Sequence, residues 1–480
     1  MDPGGRSVHM LANFNRQRMT PSVYFYGGDS DVLYSEHDSG REDDVFKLQL
    51  LFMKFMGQVP MQLERRLPLG WKNVAGMFAK SYCIFCVISN LHLAILYVKT
   101  TLDMLHNGEL EEITDALTMA IIYSFSTFAT CYWLFNAEAL NSFIGDINAN
   151  YRHHSMAGLT FVSAEHSIRL AYKVTLYWLI ACCVGVVCWA LAPLLLRSHT
   201  LPLRCWYPFD ALKPVVYEVV YATQLWCQIL MGCIFGNGSA LFVSVVLIML
   251  GQFDVLYCSL KNVDYNAQLL AGGDLITLRN LQRDLPRPAD DELNQYALLE
   301  EHLTDLTALR VSKPNSRPSL KEALHSSLVE CVLLHQFILK SCNTLEGLFN
   351  PYCLIKSLQI TLQLCLLAFV GVAGERSTMR TINLVQYLAL TLSELLMFTY
   401  CGELLSSHSI RVGEAFWRSG WWLNGNLIKR DIFIFLANSK RVVVVTAGKF
   451  YRMDVQRLRS VITQAFSFLT LLQKLAEKNQ

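Results

Sequence analysis

Cys83-Ile84-Phe85-Cys86 has the spacing used by redox and zinc sites, and His153-His154 is a second pair of metal-binding type. A structural zinc needs four ligands, and neither pair has partners at ligand spacing, so the pattern implies no metal and no cofactor. There is no Gly-rich phosphate loop, no His-Glu-x-x-His and no Gly-x-Ser-x-Gly elbow, so the chain reads as a non-enzyme without catalytic residues. Two polar features inside apolar surroundings remain. The first is Glu394, since an ionised carboxylate at membrane depth is expensive and faces a cavity or a partner. Its readings are a structural bond to a neighbouring helix, favoured because Ser393 and Tyr400 already place polar groups on the same stretch, and a hydrogen bond beside a ligand. The second is the series Gln456, Ser460, Thr463, Ser467, Thr470 and Lys474, which recurs at helical spacing and forms one polar stripe. Val455, Leu458, Ile462, Leu469 and Leu472 fall on the opposite face. Such a stripe packs against another helix or lines a wet path, and spacing alone favours packing.

The elements that would position these residues follow from composition. Of 480 residues 53% are hydrophobic and 17% charged, against about a quarter charged in soluble domains, which points to a membrane. A net charge of +2 gives no basic field, and nucleic acid is not an expected partner. Nine of the fifteen cysteines, Cys83, Cys86, Cys131, Cys182, Cys183, Cys188, Cys227, Cys233 and Cys365, sit in apolar runs and read as small hydrophobes. The polar start, with Gly27-Gly28-Asp29 and Glu42-Asp43-Asp44, is unlike a signal peptide and predicts a cytosolic N-terminus.

A membrane-spanning helix takes about 20 apolar residues. Seven runs qualify: 75–98, 113–137, 171–196, 215–250, 352–373, 382–401 and 455–472. The fourth is too long for one perpendicular span; Glu218 near its start suggests an extension beyond the bilayer on the extracellular side, and a break at Gly236-Asn237-Gly238 would instead give eight spans. Segments on the N-terminal side of the membrane hold about 26 Lys and Arg, those opposite about 8, which sets the N-terminus cytosolic and the C-terminus extracellular. The expected organisation is a cytosolic segment 1–74 with an amphipathic interfacial helix at 44–57, spans one to four over 75–250, and cytosolic anchor helices over 251–351. Those helices continue spans four and five and are interrupted at Leu285-Pro286-Arg287-Pro288 and Lys313-Pro314. Spans five and six follow over 352–401, a second anchor segment over 402–448, and the last helix with the C-terminus over 449–480.

Tyr400-Cys401-Gly402-Glu403-Leu404 resembles the Tyr-Cys-x-x-Gly-Glu pattern of the insect odorant receptors, with two fewer intervening residues. Ile410-Arg411-Val412-Gly413-Glu414-Ala415-Phe416, Trp421, Asn438-Ser439-Lys440-Arg441, Ala447-Gly448-Lys449-Phe450 and Ser467-Phe468-Leu469-Thr470-Leu471-Leu472 follow in that family's order. The resemblance implies an all-α fold of seven transmembrane helices in which four subunits surround one pore, each contributing its last helix. It implies an odorant-gated, non-selective cation channel in the plasma membrane of sensory neurons. The co-receptor's own C-terminal sequence has no close match here, so the chain resembles a tuning, ligand-binding subunit that forms a heterotetramer with odorant co-receptor subunits.

The same resemblance places a closed pocket for a small volatile organic molecule in the outer halves of spans two, three, four and six. Mapped onto this sequence it selects Ile122, Phe125, Ser126 and Phe128; Cys182, Gly185 and Trp189; Tyr221, Gln224 and Leu225; and Tyr387, Leu390 and Thr391. Gly185 lies one turn from Trp189, which leaves room beneath the indole. The resemblance also turns the polar stripe toward an ion path and puts the apolar gate near Leu471 and Leu475, with Lys474 departing from an uncharged pattern. A gustatory receptor shares the layout, but Ser467-Phe468 and Gln473-Lys474 depart from its ending. A G-protein-coupled receptor needs the opposite topology and an Asp-Arg-Tyr that is absent, and Asn350-Pro351-Tyr352 stands at the wrong span for its Asn-Pro motif. A transporter would show inverted repeats or paired broken helices, which are not evident.

Overall fold

The computed structural model describes residues 46–61, 72–108, 110–156, 162–195, 200–273, 298–299, 318–373, 378–417, 419 and 425–479. The polar start, both proline-rich interruptions and Trp421 lie outside them. The described helices are α1 (Lys47–Phe55), α2 (Lys72–Asn107), α3 (Leu110–Phe135), α4 (Ala137–Asn150), α5 (Glu165–Leu195), α6 (Val216–Leu270), α7 (Leu320–Ala373), α8 (Thr378–Trp417), α9 (Lys429–Ser439) and α10 (Val455–Asn479). Two small antiparallel pairs join them: β1 (Val162–Ser163) with β2 (Leu298–Leu299), and β3 (Thr446–Ala447) with β4 (Tyr451–Arg452).

Each expected run falls in one of α2, α3, α5, α6, α7, α8 and α10, and the first six are long and apolar enough to cross a membrane. Among the described residues α10 is not in that set, because Arg457, Arg459, Lys474 and the polar stripe dilute its hydrophobicity. The fourth run corrects one expectation: α6 continues unbroken through Gly236-Asn237-Gly238, without the break that would have made eight spans. The helix runs on past position 250 to Leu270, in line with the continuation expected below span four. At 1.5 Å per residue its 55 residues span about 80 Å.

α6 is the hub, buried almost continuously from Val220 to Ala267. Lipid supplies no hydrophobic drive between helices, so close approach of backbones decides packing, and small residues permit it. The Cys182 side chain packs on Gly236, and the Tyr352 hydroxyl on Gly238. Capping fixes where helices begin. Ser319 and Glu322 exchange reciprocal bonds at the start of α7, the Ser319 amide donating to Glu322 Oε2 and the Glu322 amide to Ser319 Oγ. Asp454 Oδ1 accepts from the Arg457 amide at 2.9 Å and starts α10.

The bundle has a loop end, bearing Gly108 and residues 200–215, and an opposite hairpin end bearing α1, α4, α9 and the β3–β4 hairpin. The amphipathic helix expected at 44–57 is α1. Its inner face, with Phe46, Gln49, Leu50 and Met53, is buried in the bundle rather than lying wholly at an interface, and Gln49 Nε2 donates to Thr175 on α5 and Ser244 on α6. Leu51 and Phe55 point outward. Gly57, at φ +69°, turns the chain where Cys83 and Cys86 press closest, so these two cysteines are packing residues under a turn.

The hairpin that delivers α10 is fastened to α7. Asn350 Nδ2 donates to Thr446 Oγ1 and Glu346 Oε1, Thr446 Oγ1 donates to Glu346 Oε1 at 2.6 Å, and the Gly448 amide donates to the Asn350 carbonyl. Gly402 on α8 faces the Met453 carbonyl so closely that a Cβ there would collide with it. That carbonyl is backbone and cannot swing aside. Gly402→Ala is therefore expected to cost about 1–3 kcal/mol by overpacking, read as a lower thermal midpoint of the purified chain. An unchanged midpoint would mean that the junction relaxes freely.

Candidate functional site

The residues mapped to a ligand pocket fall into three groups. Ile122, Trp189 and Tyr387 meet toward the loop end with Tyr97, Tyr123 and Met231, and the Trp189 and Tyr387 rings stand edge to face at 5.7 Å. Phe125 and Phe128 pair at 6.1 Å deeper in the bundle, where Phe125 also meets Phe235 and Tyr352. Cys182 packs with Trp178, Ala240 and Leu390 on a third face. The Tyr221 ring lies tilted against that of Tyr217 at 5.8 Å, and Leu225 is half-buried.

Several of these side chains are engaged otherwise than expected. The space at Gly185 is not open beneath Trp189: the Gln386 amide occupies it, and any Cβ at 185 would collide. Gln224 clamps the loop-end connection, its Oε1 accepting from the Leu203 amide and its Nε2 donating to the Leu203 carbonyl and the Tyr207 hydroxyl. Burial pushes the nearby Cys205 thiol up to about 11 and raises the Tyr207 phenol well above its ordinary value, so both stay protonated donors. Ser126 donates to Asn90 on α2, and Thr391 bonds back to the Tyr387 carbonyl of its own helix.

Glu394 has a partner that the sequence reading missed. Lys356 on α7 places its ammonium 2.7 Å from Glu394 Oε2, with both side chains almost fully buried. Ser239 on α6 donates to Glu394 Oε1 at 2.8 Å. The ammonium also lies 4.6 Å from the Phe125 ring centre and 4.0 Å from that of Phe235, close enough for cation–π attraction. Four helices, α3, α6, α7 and α8, thus converge on one charge pair. The signal was present in the sequence: two opposite charges inside adjacent apolar runs, each too costly to stand alone.

α10 rests on the bundle through Val461 and Ala465, which cluster with Ile360, Leu364, Cys365 and Leu395 of α7 and α8. Of the apolar residues expected opposite the stripe, Leu458 packs beside this cluster, Val455 is exposed, and Ile462 and Leu469 are half-buried. Of the polar stripe, Gln456, Thr463, Ser467, Thr470 and Lys474 are exposed and Ser460 is half-buried. Leu471 is exposed on the same helix, and the Leu475 side chain lies outside the described residues. His153 and His154 lie in the turn before β1, their rings 6.4 Å apart.

Six apolar helices, five of them packed around the buried sixth, α6, define an all-α polytopic membrane protein. The family model of the 7tm odorant receptors matches residues 109–466. Odorant receptor 85e of Drosophila melanogaster is 53% identical over 95% of this chain and 98% of its own length. Odorant receptor 83a of the same fly is 35% identical over 82% of this chain and 87% of its own. The solved structure of the olfactory receptor OR5 of Machilis hrabei with eugenol shares the fold, with a TM-score of 0.66 over 93% of this chain and 100% of that one at 14% identity. The chain belongs to the insect odorant receptor family, and the two fly relatives are receptors rather than the co-receptor.

Proposed function

We propose that the chain is the ligand-binding subunit of an odorant-gated, non-selective cation channel, assembled as a heterotetramer with odorant co-receptor subunits in the plasma membrane of sensory neurons. The N-terminus is cytosolic, the C-terminus extracellular, and α10 the seventh span. A small volatile binds among α3, α5, α6 and α8, and the polar stripe of α10 lines the ion path, with an apolar gate near Leu471 and Leu475. The observation that carries this reading is the orientation of α10: Val461 and Ala465 dock it on the bundle while its polar stripe is left outward, where lipid would be a poor neighbour and a water-filled axis a good one. A ligand opens the path only through a difference in affinity between closed and open states. The test is current recording from cells expressing this chain with and without an insect odorant co-receptor. Volatile-evoked cation current in the pair and none in either chain alone is the expected result; a response carried by G-protein signalling, or none in the pair at normal surface abundance, overturns it.

A further inference from the structure

The Lys356–Glu394 site holds more hydrogen-bond donors than acceptors. Lys356 offers three N–H groups, of which Glu394 Oε2 takes at most one, while the neighbouring Phe125 and Phe235 present π faces. Tyr352 stands one turn before Lys356 and is fully buried, and no protein group among the described residues accepts from its hydroxyl. That hydroxyl lies against Gly238, whose neighbour Ser239 donates to the other oxygen of Glu394. The carboxylate is therefore engaged at both oxygens, and what remains in the apolar surroundings is N–H and O–H without an acceptor.

We infer that this cluster is the polar end of the ligand site and takes a neutral hydrogen-bond acceptor: a ketone, ester or ether whose oxygen accepts from Tyr352 and Lys356 while its hydrocarbon lies against Phe125 and Phe235. An alkane leaves the donors unpaired. An ammonium ligand sets a second cation beside Lys356. A carboxylate ligand sets two anions against one ammonium. Only an uncharged acceptor improves the pairing without adding charge. The proposal rests on the reading of this chain as a ligand-binding subunit. It also gives binding a lever, because Ile360, one turn beyond Lys356, and Leu395, beside Glu394, belong to the cluster on which Val461 and Ala465 of α10 rest.

The experiment uses the full chain in lipid nanodiscs and three probes of one carbon skeleton: cyclohexanone, cyclohexane and cyclohexylamine. Infrared difference spectra with carbonyl-labelled cyclohexanone read the C=O stretch of the bound ketone, with empty nanodiscs subtracted. A saturable band shifted to lower frequency than the ketone in hydrocarbon is expected, and it should be lost in Tyr352→Phe. In the same preparation Tyr352→Phe should weaken ketone binding about tenfold, the loss of one hydrogen bond made only with the ligand, and leave cyclohexane binding as it was. Because no described residue accepts from the hydroxyl, Tyr352→Phe should keep surface abundance. The charge-neutral pair Lys356→Met with Glu394→Gln should abolish the preference of ketone over cyclohexane. A bound carbonyl at its hydrocarbon frequency, a Tyr352→Phe effect equal for ketone and alkane, stronger binding of the amine, or no saturable ketone binding each overturns the proposal. Shifted-band binding without co-receptor-dependent current would leave this site standing and overturn the channel reading instead.

Discussion

Lys356→Met alone is expected to remove most of the protein from the cell surface, and adding Glu394→Gln is expected to bring it back. The single change leaves a carboxylate almost fully buried, with Ser239 donating to one of its oxygens. Breaking one side of a buried ion pair costs about 3–5 kcal/mol, a large share of the roughly 5–15 kcal/mol by which a folded protein is stable. The double change removes both charges and keeps similar volumes, and neutral replacement of a buried pair is often close to cost-free. Glu394→Gln alone should be milder, since Phe125 and Phe235 still face the stranded ammonium. Surface biotinylation against total protein measures all three. Normal surface abundance of Lys356→Met would show that the carboxylate finds water or a proton without Lys356, and that the pair does not hold these helices together.

The contrast between what the sequence disclosed and what it hid has a physical basis. Run length and hydropathy located the helices because the hydrocarbon core imposes one length on all of them. The same pattern carried no information on which faces meet. Glu394 was legible as an expensive charge, but its partner sits 38 positions earlier on another helix, so only the relative rotation of α7 and α8 brings them together. Gln224 was placed among the pocket residues, and its clamp on Leu203 and Tyr207 stayed hidden, because that clamp depends on a connection without periodic pattern. Gly185 read as empty space for a related reason: a missing side chain shows where room exists and not which neighbour, here Gln386, fills it. On α10 the polar stripe was plain, but apolar residues flank it on two sides, and the docked strip proved to be Val461 and Ala465.

Cysteine substitution along α10 is expected to separate two faces in the channel formed with the co-receptor. Thr463 Oγ1 donates to the Arg459 carbonyl, Ser467 Oγ to the Thr463 carbonyl and Thr470 Oγ1 to the Ser467 carbonyl. Each hydroxyl proton is turned back into the helix, and the oxygen lone pairs are left on the outer surface. A column of such oxygens offers partial negative charge to passing ions and favours cations. Cysteines at Gln456, Ser460, Thr463, Ser467 and Thr470 should react with a charged thiol reagent about tenfold or more faster than cysteines at Val461 and Ala465, because a thiolate forms and is reached only where water is present. Lys474, exposed on the same stripe, places a positive charge in the path, so Lys474→Gln should raise single-channel cation conductance, most visibly at low ionic strength where screening is weakest. The parent chain, with its exposed Cys188, sets the background rate. Equal reaction rates on both faces, with normal currents, would return α10 to a packing role, and conductance unchanged by Lys474→Gln would place that end of the helix outside the ion path.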